Sequence, residues 1–451
     1  MQIRTQKPIC LFVEIMTRWT GEHMKILIKD ILTVLNRDSD YYIKETSIYI
    51  EDDKIIDIGN SDYSADIIID GKNKLALPGL INNHTHAYMS LFRNHADDLP
   101  FSQWLFDNIL PLEDKLTGKD AYWGTMLGIM EMIKTGTTCF TDMYIFTNET
   151  SRAVDETGIR ACLSRGLVGS GDDEDGRRRV REAKEEIEYW RAKGNDRLSF
   201  IVAPHAPYTC DDKFLLNVID FAKENKLGIN IHLSESRSEI AQIYDRYKCT
   251  PTELLNGLGL FDLNTLAAHC VYLTDNDIDI LAEKNVNVIT CPVSNLKLGN
   301  GIAPISKLVN RGVNVCLGTD GAASNNTLNI FKELQFVTLI HKGIEEKADA
   351  ISASTGLQFA TSNGAKALGL GNKIGKIEIG YKADITILDI DKPQYYPRNN
   401  LISALAYSTY GDEVNSVIVD GKLLMKDNEF LTIDVEKVKY HIDGISKRLL
   451  K

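Results

Sequence analysis

The chain has 451 residues, 43% of them hydrophobic, and its 63 acidic and 51 basic residues give a net charge of −12. This length allows one large domain with a sizeable core plus a smaller domain. The negative charge argues against nucleic acid or an anionic membrane as the main partner, since both would repel an acidic surface. No run of about 18 apolar residues occurs, so no transmembrane helix is predicted.

The eight cysteines are scattered without CxxC spacing, and most lie in apolar, strand-like runs. Buried free thiols are typical of proteins in a reducing compartment. Charged residues interrupt the apolar positions near the N-terminus, so no signal-peptide core forms there. We therefore expect a soluble, cytoplasmic protein in which residues 1–23 form an N-terminal extension.

After this extension, residues 24–74 form a strand-rich piece that begins with the apolar run 24–28. A second strand-rich piece, 374–451, contains the turn signals Gly375, Gly380 and Gly411. Neither piece is long enough to fold comfortably alone. We predict that both chain ends together build one small β-sandwich domain.

Between these pieces, residues 75–373 contain strand-like runs separated by longer stretches of helical pattern. The eight runs are 75–81, 137–143, 161–168, 198–204, 228–233, 264–269, 286–291 and 313–319. Helical spacing of apolar residues is clearest in 211–225, 275–284 and 304–310. Alternating strands and helices imply parallel strands, so the eight units predict an α/β fold with a closed (β/α)8 TIM-like barrel. Active sites of such barrels lie at the carboxyl ends of the strands.

Residues of metal-ligating type stand where several of these runs end. His84 and His86 follow the first run, and residues two apart on a strand point the same way, so both can reach one ion. His232 ends the fifth run and Asp320 follows the eighth. Imidazole suits zinc and other transition metals. A lone HxH pair is weak evidence, but its recurrence at other strand ends predicts a metal site.

Five segments resemble those of a known family in their order and spacing. They are 78–86 (PGLINNHTH), 231–235 (IHLSE), 268–270 (AHC), 294–299 (SNLKLG) and 318–321 (GTDG). From about residue 24 to the C-terminus, the chain resembles the amidohydrolase superfamily in its metal-dependent, purine-deaminating branch. The resemblance implies that His84, His86, His232 and Asp320 bind one divalent metal per subunit, usually zinc, with iron or manganese as alternatives.

The activity implied by this resemblance is hydrolytic deamination of adenosine-type nucleosides, such as S-adenosylhomocysteine and 5'-methylthioadenosine, by a metal-activated water. A bound metal lowers the pKa of water to about 7, so that hydroxide is available at neutral pH. Asp320 would also take a proton from the water, and Glu235 would protonate the purine ring nitrogen. His269 would hydrogen-bond the hydroxide and stabilise charge in the transition state.

Each proton-transfer residue also has a purely structural interpretation. Glu235 could favour the dipole of the following helix. His269 could be a core histidine, and Asp320 could be the N-cap of a helix. All three structural roles together would require several coincidences, so we prefer the catalytic interpretation.

The resemblance also points to substrate-binding residues. Glu113 would accept hydrogen bonds from the ribose hydroxyls, and His205 would lie beside the purine and ribose. Arg165 and Arg177 match positions that contact the homocysteine carboxylate, which suits the planar guanidinium fork. Trp104 would form an apolar wall over the nucleoside. The structural alternatives are surface charge for Glu113, a loop position for His205, surface ion pairing for Arg177 and helix packing for Trp104.

Two other functions stay open alongside the nucleoside deaminase. One is a deaminase or chlorohydrolase of the same branch that acts on a free base such as guanine, or on a triazine. The other is a non-catalytic scaffold, which the presence of all four ligands disfavours. A free base offers no ribose to Glu113 and no carboxylate to Arg165, so a small purine nucleoside is the favoured substrate. No lysine ends the fourth run, which favours a single metal ion over a two-metal site. By analogy alone, we expect a homo-oligomer.

Overall fold

The computed structural model describes residues 23–37, 40–171 and 173–449. The predicted N-terminal extension, 1–23, lies outside the described residues except for His23. The His23 ring nitrogen Nδ1 lies 2.6 Å from Asp52 Oδ2, beside the first strand. In the part of the chain that the structure describes, none of the helices has the length and hydropathy of a transmembrane segment.

Both chain ends contribute strands to one outer sheet, which is nine-stranded in the described part of the chain. The N-terminal strands are β1 (Lys25–Arg37), β2 (Asp40–Glu51), β3 (Lys54–Ile58), β4 (Ile67–Asp70) and β5 (Lys74–Pro78). The C-terminal strands are β15 (Ile385–Asp389), β16 (Val414–Val419), β17 (Lys422–Lys426) and β18 (Glu429–Phe430). Their order is β18-β17-β16-β15-β5-β1-β2-β3, with β4 beside β1. Apolar residues from both ends share a core separate from that of the barrel.

The central strands are all parallel and form two arcs. The first arc contains β6 (Leu80–Thr85), β7 (Thr137–Tyr144), β8 (Arg160–Leu167), β9 (Leu198–Phe200) and β10 (Ala203–Pro204). The second contains β11 (Ile229–Leu233), β12 (Thr265–His269), β13 (Asn287–Thr290) and β14 (Asn314–Leu317).

Two contacts join these arcs into a closed barrel. A bridge links Val202 to Ile229 on one side. On the other, the backbone N–H groups of Thr319 and Asp320 donate to the His84 carbonyl at 3.1 and 2.9 Å. The fourth position holds two short pieces, β9 and β10, so the eight positions agree with the predicted (β/α)8 barrel.

Helices alternate with the barrel strands and cover them. After β6 come the 3-10 helix Ala87–Phe92, the π-helix Gln103–Ile109 and the helices Leu110–Glu113 and Gly118–Lys134. Those between β7 and β14 are Thr147–Thr157, Glu174–Ala192, Asp212–Glu224, Arg237–Tyr247, Pro251–Gly257, Asp275–Glu283, Pro292–Lys297 and Ile305–Asn310, with a 3-10 turn at Leu260–Asp262. Those after β14 are Ala322–Asn325, Ile330–Glu345, Ala353–Ala360, Ser362–Ala367, Leu401–Tyr407 and Val435–Leu449, with a 3-10 turn at Pro393–Tyr395.

The first predicted run, 75–81, is divided between the two sheets. Its beginning belongs to β5 of the outer sheet, and Leu80 starts the barrel strand β6. The predicted boundary at residue 75 therefore falls inside a strand. The division occurs at Gly79, where a Cβ would overlap the side chain of Thr138. Only glycine allows the chain to pass this close to β7.

Candidate active site

Four side chains at the carboxyl ends of β6, β11 and β14 converge inside the barrel mouth. His84 and His86 project from the end of β6, His232 from β11, and Asp320 follows β14, and all four are buried. Asp320 Oδ1 lies 3.1 Å from His86 Nε2 and 3.7 Å from His84 Nε2. Nε2 of His232 lies 3.3 Å from Nε2 of His86. Gly318 allows this approach, because a Cβ there would lie 2.7 Å from the His84 Cβ.

Backbone carbonyls orient two of these imidazoles. The His86 Nδ1–H donates to the Met143 carbonyl at 2.7 Å, and the His232 Nδ1–H donates to the His205 carbonyl at 2.8 Å. Each bond leaves the Nε2 lone pair directed at the cluster, as for metal-ligating histidines in general. Neither ring nitrogen of His84 has a hydrogen-bond partner among the described residues.

These four residues fit a divalent metal ion. Three imidazoles and a carboxylate form a common donor set for such an ion. Ligand atoms about 2.0–2.1 Å from a tetrahedral centre are roughly 3.3 Å from each other, which matches the separation of the His86 and His232 nitrogens. An ion would also give the buried His84 nitrogen a partner. The cluster is therefore suited to bind one divalent metal.

Asp320 is oriented by hydroxyl groups and by its backbone. Its Oδ2 accepts hydrogen bonds from Ser294 Oγ at 2.6 Å and Ser324 Oγ at 2.7 Å, so Oδ1 faces the histidines. Its φ of +63° is uncommon for a residue other than glycine. The next helix, Ala322–Asn325, has Gly321 as its N-cap, so Asp320 does not have the capping role considered above.

Glu235 and His269 lie beside this cluster. Nε2 of His269 is 3.8 Å from Glu235 Oε2, and both side chains are buried. Burial raises the pKa of the Glu235 carboxyl above its usual value, which favours the protonated form. Ser236, not Glu235, caps the following helix. His269 has a φ of +72°, so β12 ends in a left-handed turn at the functional side chain.

A cavity of about 490 Å³ opens over the cluster. His86, His232, Glu235, His269 and Asp320 line its base. Its apolar walls are formed by Met89, Phe101, Trp104, Leu105, Phe106, Leu110, Met143, Ile145 and Val168. The remaining lining residues are Glu113, Asp114, Tyr144, Arg165, Gly166, Arg178, Arg179, His205, Tyr208 and Thr209. An apolar cavity with a few convergent polar groups is typical of a small-molecule site.

Glu113, His205 and Trp104, which the resemblance points to as substrate-binding residues, line this cavity. Burial raises the pKa of Glu113, and a hydrogen bond from the Tyr144 hydroxyl opposes that rise. Burial, and then the charge of nearby His86, lowers the pKa of His205 to about 4, so its ring is neutral at pH 7. Trp104 is buried in the π-helix Gln103–Ile109, and its indole N–H has no hydrogen-bond partner among the described residues.

The two predicted arginines differ in position. Arg165 lines the cavity, but its guanidinium binds Glu182, Glu186 and the Ile145 carbonyl. Arg177 lines a separate surface groove, so the expectation that it faces the substrate is not met. It lies near the start of the helix Glu174–Ala192. Side chains two residues apart on a helix point about 200° apart around its axis. Arg179 therefore lines the cavity, whereas Arg177 points away from it.

Several residues to which the sequence analysis gave no individual role support this site. Tyr144 hydrogen-bonds Glu113. Ser294 and Ser324 hold Asp320, as described above. Asn295 and Asn300 contact His269 and Glu235, at 2.9 Å in each case. Ser294 and Asn295 follow the seventh strand and Tyr144 ends the second, so the strand-end rule could have given them a role, whereas no sequence signal marks Asn300.

Comparison with known proteins agrees with this architecture. Residues 75–424 match the model of the amidohydrolase family. The chain is 45% identical over 430 residues to a 5-methylthioadenosine/S-adenosylhomocysteine deaminase of Thermoanaerobacter pseudethanolicus, an alignment that covers 95% of this chain and 100% of the relative. It is 46% identical over 399 residues to a 5'-deoxyadenosine deaminase of Methanocaldococcus jannaschii, with coverage of 88% and 94%.

A solved structure is also similar to this chain in fold and in sequence. An adenosine deaminase from Xanthomonas campestris with bound zinc superposes with a TM-score of 0.90 and 30% sequence identity, covering 94% of this chain and 98% of that one. The family match spans well over half of the sequence, and the first relative is aligned over its full length. The chain therefore belongs to the amidohydrolase family.

Proposed function

We propose that the protein is a metal-dependent deaminase of adenosine-type nucleosides. It would convert S-adenosylhomocysteine to S-inosylhomocysteine and 5'-methylthioadenosine to 5'-methylthioinosine, with release of ammonia. The position of Glu113 is the observation that supports this most directly. A half-buried carboxylate in the cavity wall suits the hydroxyls of a ribose, and a free base has none. The relatives named as deaminases of such nucleosides support the same substrate class.

Zinc is the metal we propose, in a single site formed by His84, His86, His232 and Asp320. The zinc in the related adenosine deaminase structure supports this choice, and iron or manganese would suit the same donors. A divalent ion in such a site lowers the pKa of water to about 7, which makes hydroxide available at neutral pH.

The protein side chains would supply the proton transfers. Asp320 accepts a proton from the attacking water, whose oxygen adds to the purine carbon that carries the amino group. Glu235 donates a proton to the adjacent ring nitrogen, and its raised pKa keeps that proton available nearer to neutral pH. His269 stabilises the developing negative charge on oxygen. The amino group takes up the proton held by Asp320 and leaves as ammonia, and the hydroxyl proton of the intermediate returns to Glu235 as the carbonyl forms. One water is therefore consumed for each ammonia released, and both carboxyl groups regain their starting protonation states.

The substituent on the 5' carbon would occupy the apolar mouth of the cavity. Phe101, Leu105 and Val168 suit a methylthio group or the methylene chain of homocysteine. Arg179 also lines the mouth, and the structure gives it no hydrogen bond or ion pair within the described residues. We propose it, together with Arg165, as the binding site for the homocysteine carboxylate.

A cytoplasmic location is also part of this proposal. The seven cysteines that the structure describes are all free, which suits a reducing compartment. A homo-oligomer, expected by analogy alone, stays a prediction.

Ultraviolet absorbance tests the proposed activity. The purified protein is given S-adenosylhomocysteine, 5'-methylthioadenosine, adenosine, 5'-deoxyadenosine and guanine in parallel. We expect the adenine-type spectrum of at least one nucleoside to become hypoxanthine-type, and guanine to stay unchanged. Loss of guanine alone would favour the free-base alternative, and no reaction with any compound would contradict a deaminase. In an active enzyme, Glu113→Gln should lower kcat/KM by roughly 10- to 100-fold, as expected for a lost hydrogen bond to a charged group.

A further inference from the structure

A short segment after β13 contacts residues at the ends of three other strands. It comprises residues 291–300 and includes the helix Pro292–Lys297. Besides the bond from Ser294 to Asp320, two neutral amides of this segment reach His269, to which we assign charge stabilisation, and Glu235, to which we assign proton transfer. Both amide side chains are buried, with 2% of Asn295 and 5% of Asn300 exposed. The proposed chemistry assigns no role to either of them.

The contact of Asn295 determines which nitrogen of His269 faces the cavity. Its amide Oδ1 lies 2.9 Å from His269 Nδ1, and an amide oxygen can only accept. Nδ1 must therefore carry the hydrogen. The other ring nitrogen, Nε2, is turned towards Glu235 and the cavity.

Asn300 acts in the same way on Glu235. Its amide Nδ2–H donates to Glu235 Oε1 at 2.9 Å. A protonated carboxyl oxygen is a poorer acceptor, so this bond favours the transferable proton on the other oxygen. That oxygen, Oε2, is the one that lies 3.8 Å from His269 Nε2.

The segment that carries these amides is itself anchored. The backbone N–H of Asn300 donates to the Asn295 carbonyl at 2.9 Å, which fixes the two residues relative to each other. The buried carboxylate of Glu333 accepts the Val293 N–H at 3.1 Å and the Asn325 side-chain amide at 2.6 Å. Side chains held by such partners keep their geometry through a reaction.

We propose that Asn295 and Asn300 are positioning residues that direct Nε2 of His269 and Oε2 of Glu235 to the substrate. The inference rests on the proposed function, since it assumes that these two groups transfer protons or stabilise charge. Neither asparagine needs to touch the substrate. The side-chain hydrogen bonds of Asn295 and Asn300 go to His269 and Glu235, not to the proposed metal ligands.

Leucine variants test the proposal, because leucine keeps the four-atom branched shape of the asparagine side chain but not the amide. Asn295→Leu and Asn300→Leu should each lower kcat by about 100-fold, the loss typical of a misplaced reacting group. The KM for the nucleoside and the content of one metal per chain should stay within threefold of the original values. Asn295→Asp keeps the accepting oxygen and should restore most of the kcat lost in Asn295→Leu.

A matched control is available on β13, the strand that precedes the segment. Asn287, at the amino end of β13, is also buried and donates to Asn264 and to the Thr265 carbonyl. Asn287→Leu should lower the melting temperature without lowering kcat. An equal loss of kcat in Asn287→Leu and Asn295→Leu would overturn the proposal, because it would show a general effect on the fold.

A double variant tests whether Asn300 acts through Glu235. In a Glu235→Gln background the transferable proton is already lost, so adding Asn300→Leu should change kcat by less than threefold. A further 100-fold loss would contradict the proposed route.

Nitrogen-15 spectra of histidine-labelled, metal-loaded protein give a readout that needs no turnover. The original protein should show His269 protonated at Nδ1, and Asn295→Leu should lose this preference while Asn287→Leu keeps it. An unchanged tautomer in Asn295→Leu would overturn the role of Asn295. If no nucleoside is deaminated, the proposed function fails, yet these spectra still decide how Asn295 and His269 are related.

Discussion

The two ends of the barrel use buried polar residues in opposite ways. At the amino end of β8, Arg160 Nε and Nη2 bind Asp384 at 2.7 and 3.0 Å, and Nη2 also binds Asp420 at 3.1 Å. These residues join the barrel to the outer sheet and, with Lys382, whose Nζ lies 3.2 Å from Asp420 Oδ1, balance one another's charge. At the carboxyl ends, His84 has two ring nitrogens without a hydrogen-bond partner among the described residues. At the amino end, the buried polar residues are paired with one another and stabilise the fold. At the carboxyl ends, a buried residue without a partner is available to bind a ligand or take part in chemistry.

The backbone at the carboxyl ends has an unusual conformation. Ser234, His269 and Asp320 all have positive φ values, of +51°, +72° and +63°, where the chain leaves three strands. A residue other than glycine in such a conformation costs of the order of 1–3 kcal/mol. Arg160, by contrast, lies in a regular strand that pairs with β7. Positive φ is not confined to this end, since Asp420 at the amino end has a φ of +52°, but at the carboxyl ends it occurs at two residues of the proposed site, His269 and Asp320.

The largest expected effect follows from removing a metal ligand at the carboxyl end. His232→Ala should lower both the metal content and the activity, the activity by at least about 1,000-fold, since the ion supplies several kcal/mol of stabilisation in the transition state. Elemental analysis and the nucleoside assay measure the two losses. A variant that keeps one metal per chain and full turnover would contradict the ligand assignment.

Glu235→Gln separates proton transfer from metal binding at the same end. The variant should keep its metal but lose roughly 100- to 10,000-fold in kcat, the usual contribution of general acid–base catalysis. Parallel measurement of metal content and kcat checks this. Turnover near the original rate would show that Glu235 does not donate the proton.

The amino end should respond in stability and not in catalysis. Arg160→Ala leaves Asp384 buried without its partner, which should lower the free energy of unfolding by about 3–5 kcal/mol. The kcat of the folded variant should stay unchanged. Lys307→Ala is the matched control, because its ion pair with Asp275 is exposed and contributes about 0–1 kcal/mol. Denaturant unfolding of both variants tests the prediction, and equal losses would contradict it.

The smallest effect concerns specificity at the cavity mouth. Arg179→Ala should weaken kcat/KM for S-adenosylhomocysteine by about tenfold, as expected for one partly exposed charged hydrogen bond. The value for 5'-methylthioadenosine, which has no carboxylate, should not change. Arg177→Ala, in the separate groove, serves as the control. Equal losses for both substrates in Arg179→Ala would remove the proposed role.

Much of the fold could be predicted because strand and helix periods are local properties of the sequence. The helices expected at 211–225, 275–284 and 304–310 are found at Asp212–Glu224, Asp275–Glu283 and Ile305–Asn310. The same spacing of apolar residues indicated where the strands end, so His84, His232 and Asp320 could be predicted to lie at strand ends. That they lie together follows from the parallel arrangement of the strands.

What could not be predicted depends on contacts between distant segments. The division at Gly79 reflects the close approach of Thr138, about 60 residues further along the chain. The face that a helix turns inward depends on its packing, which is why Arg179 and not Arg177 lines the cavity. Asn300 is marked only by its contact with Glu235, a residue on another strand end.

Titration of metal-free protein with zinc tests the proposed site and activity together. The formation of hypoxanthine-type product from S-adenosylhomocysteine and 5'-methylthioadenosine is measured after each addition. We predict that activity rises linearly and stops at one zinc per chain, and that His232→Ala shows no such rise. Activity without metal, a rise that continues to two ions per chain, or no product at any zinc content would contradict a single-metal nucleoside deaminase.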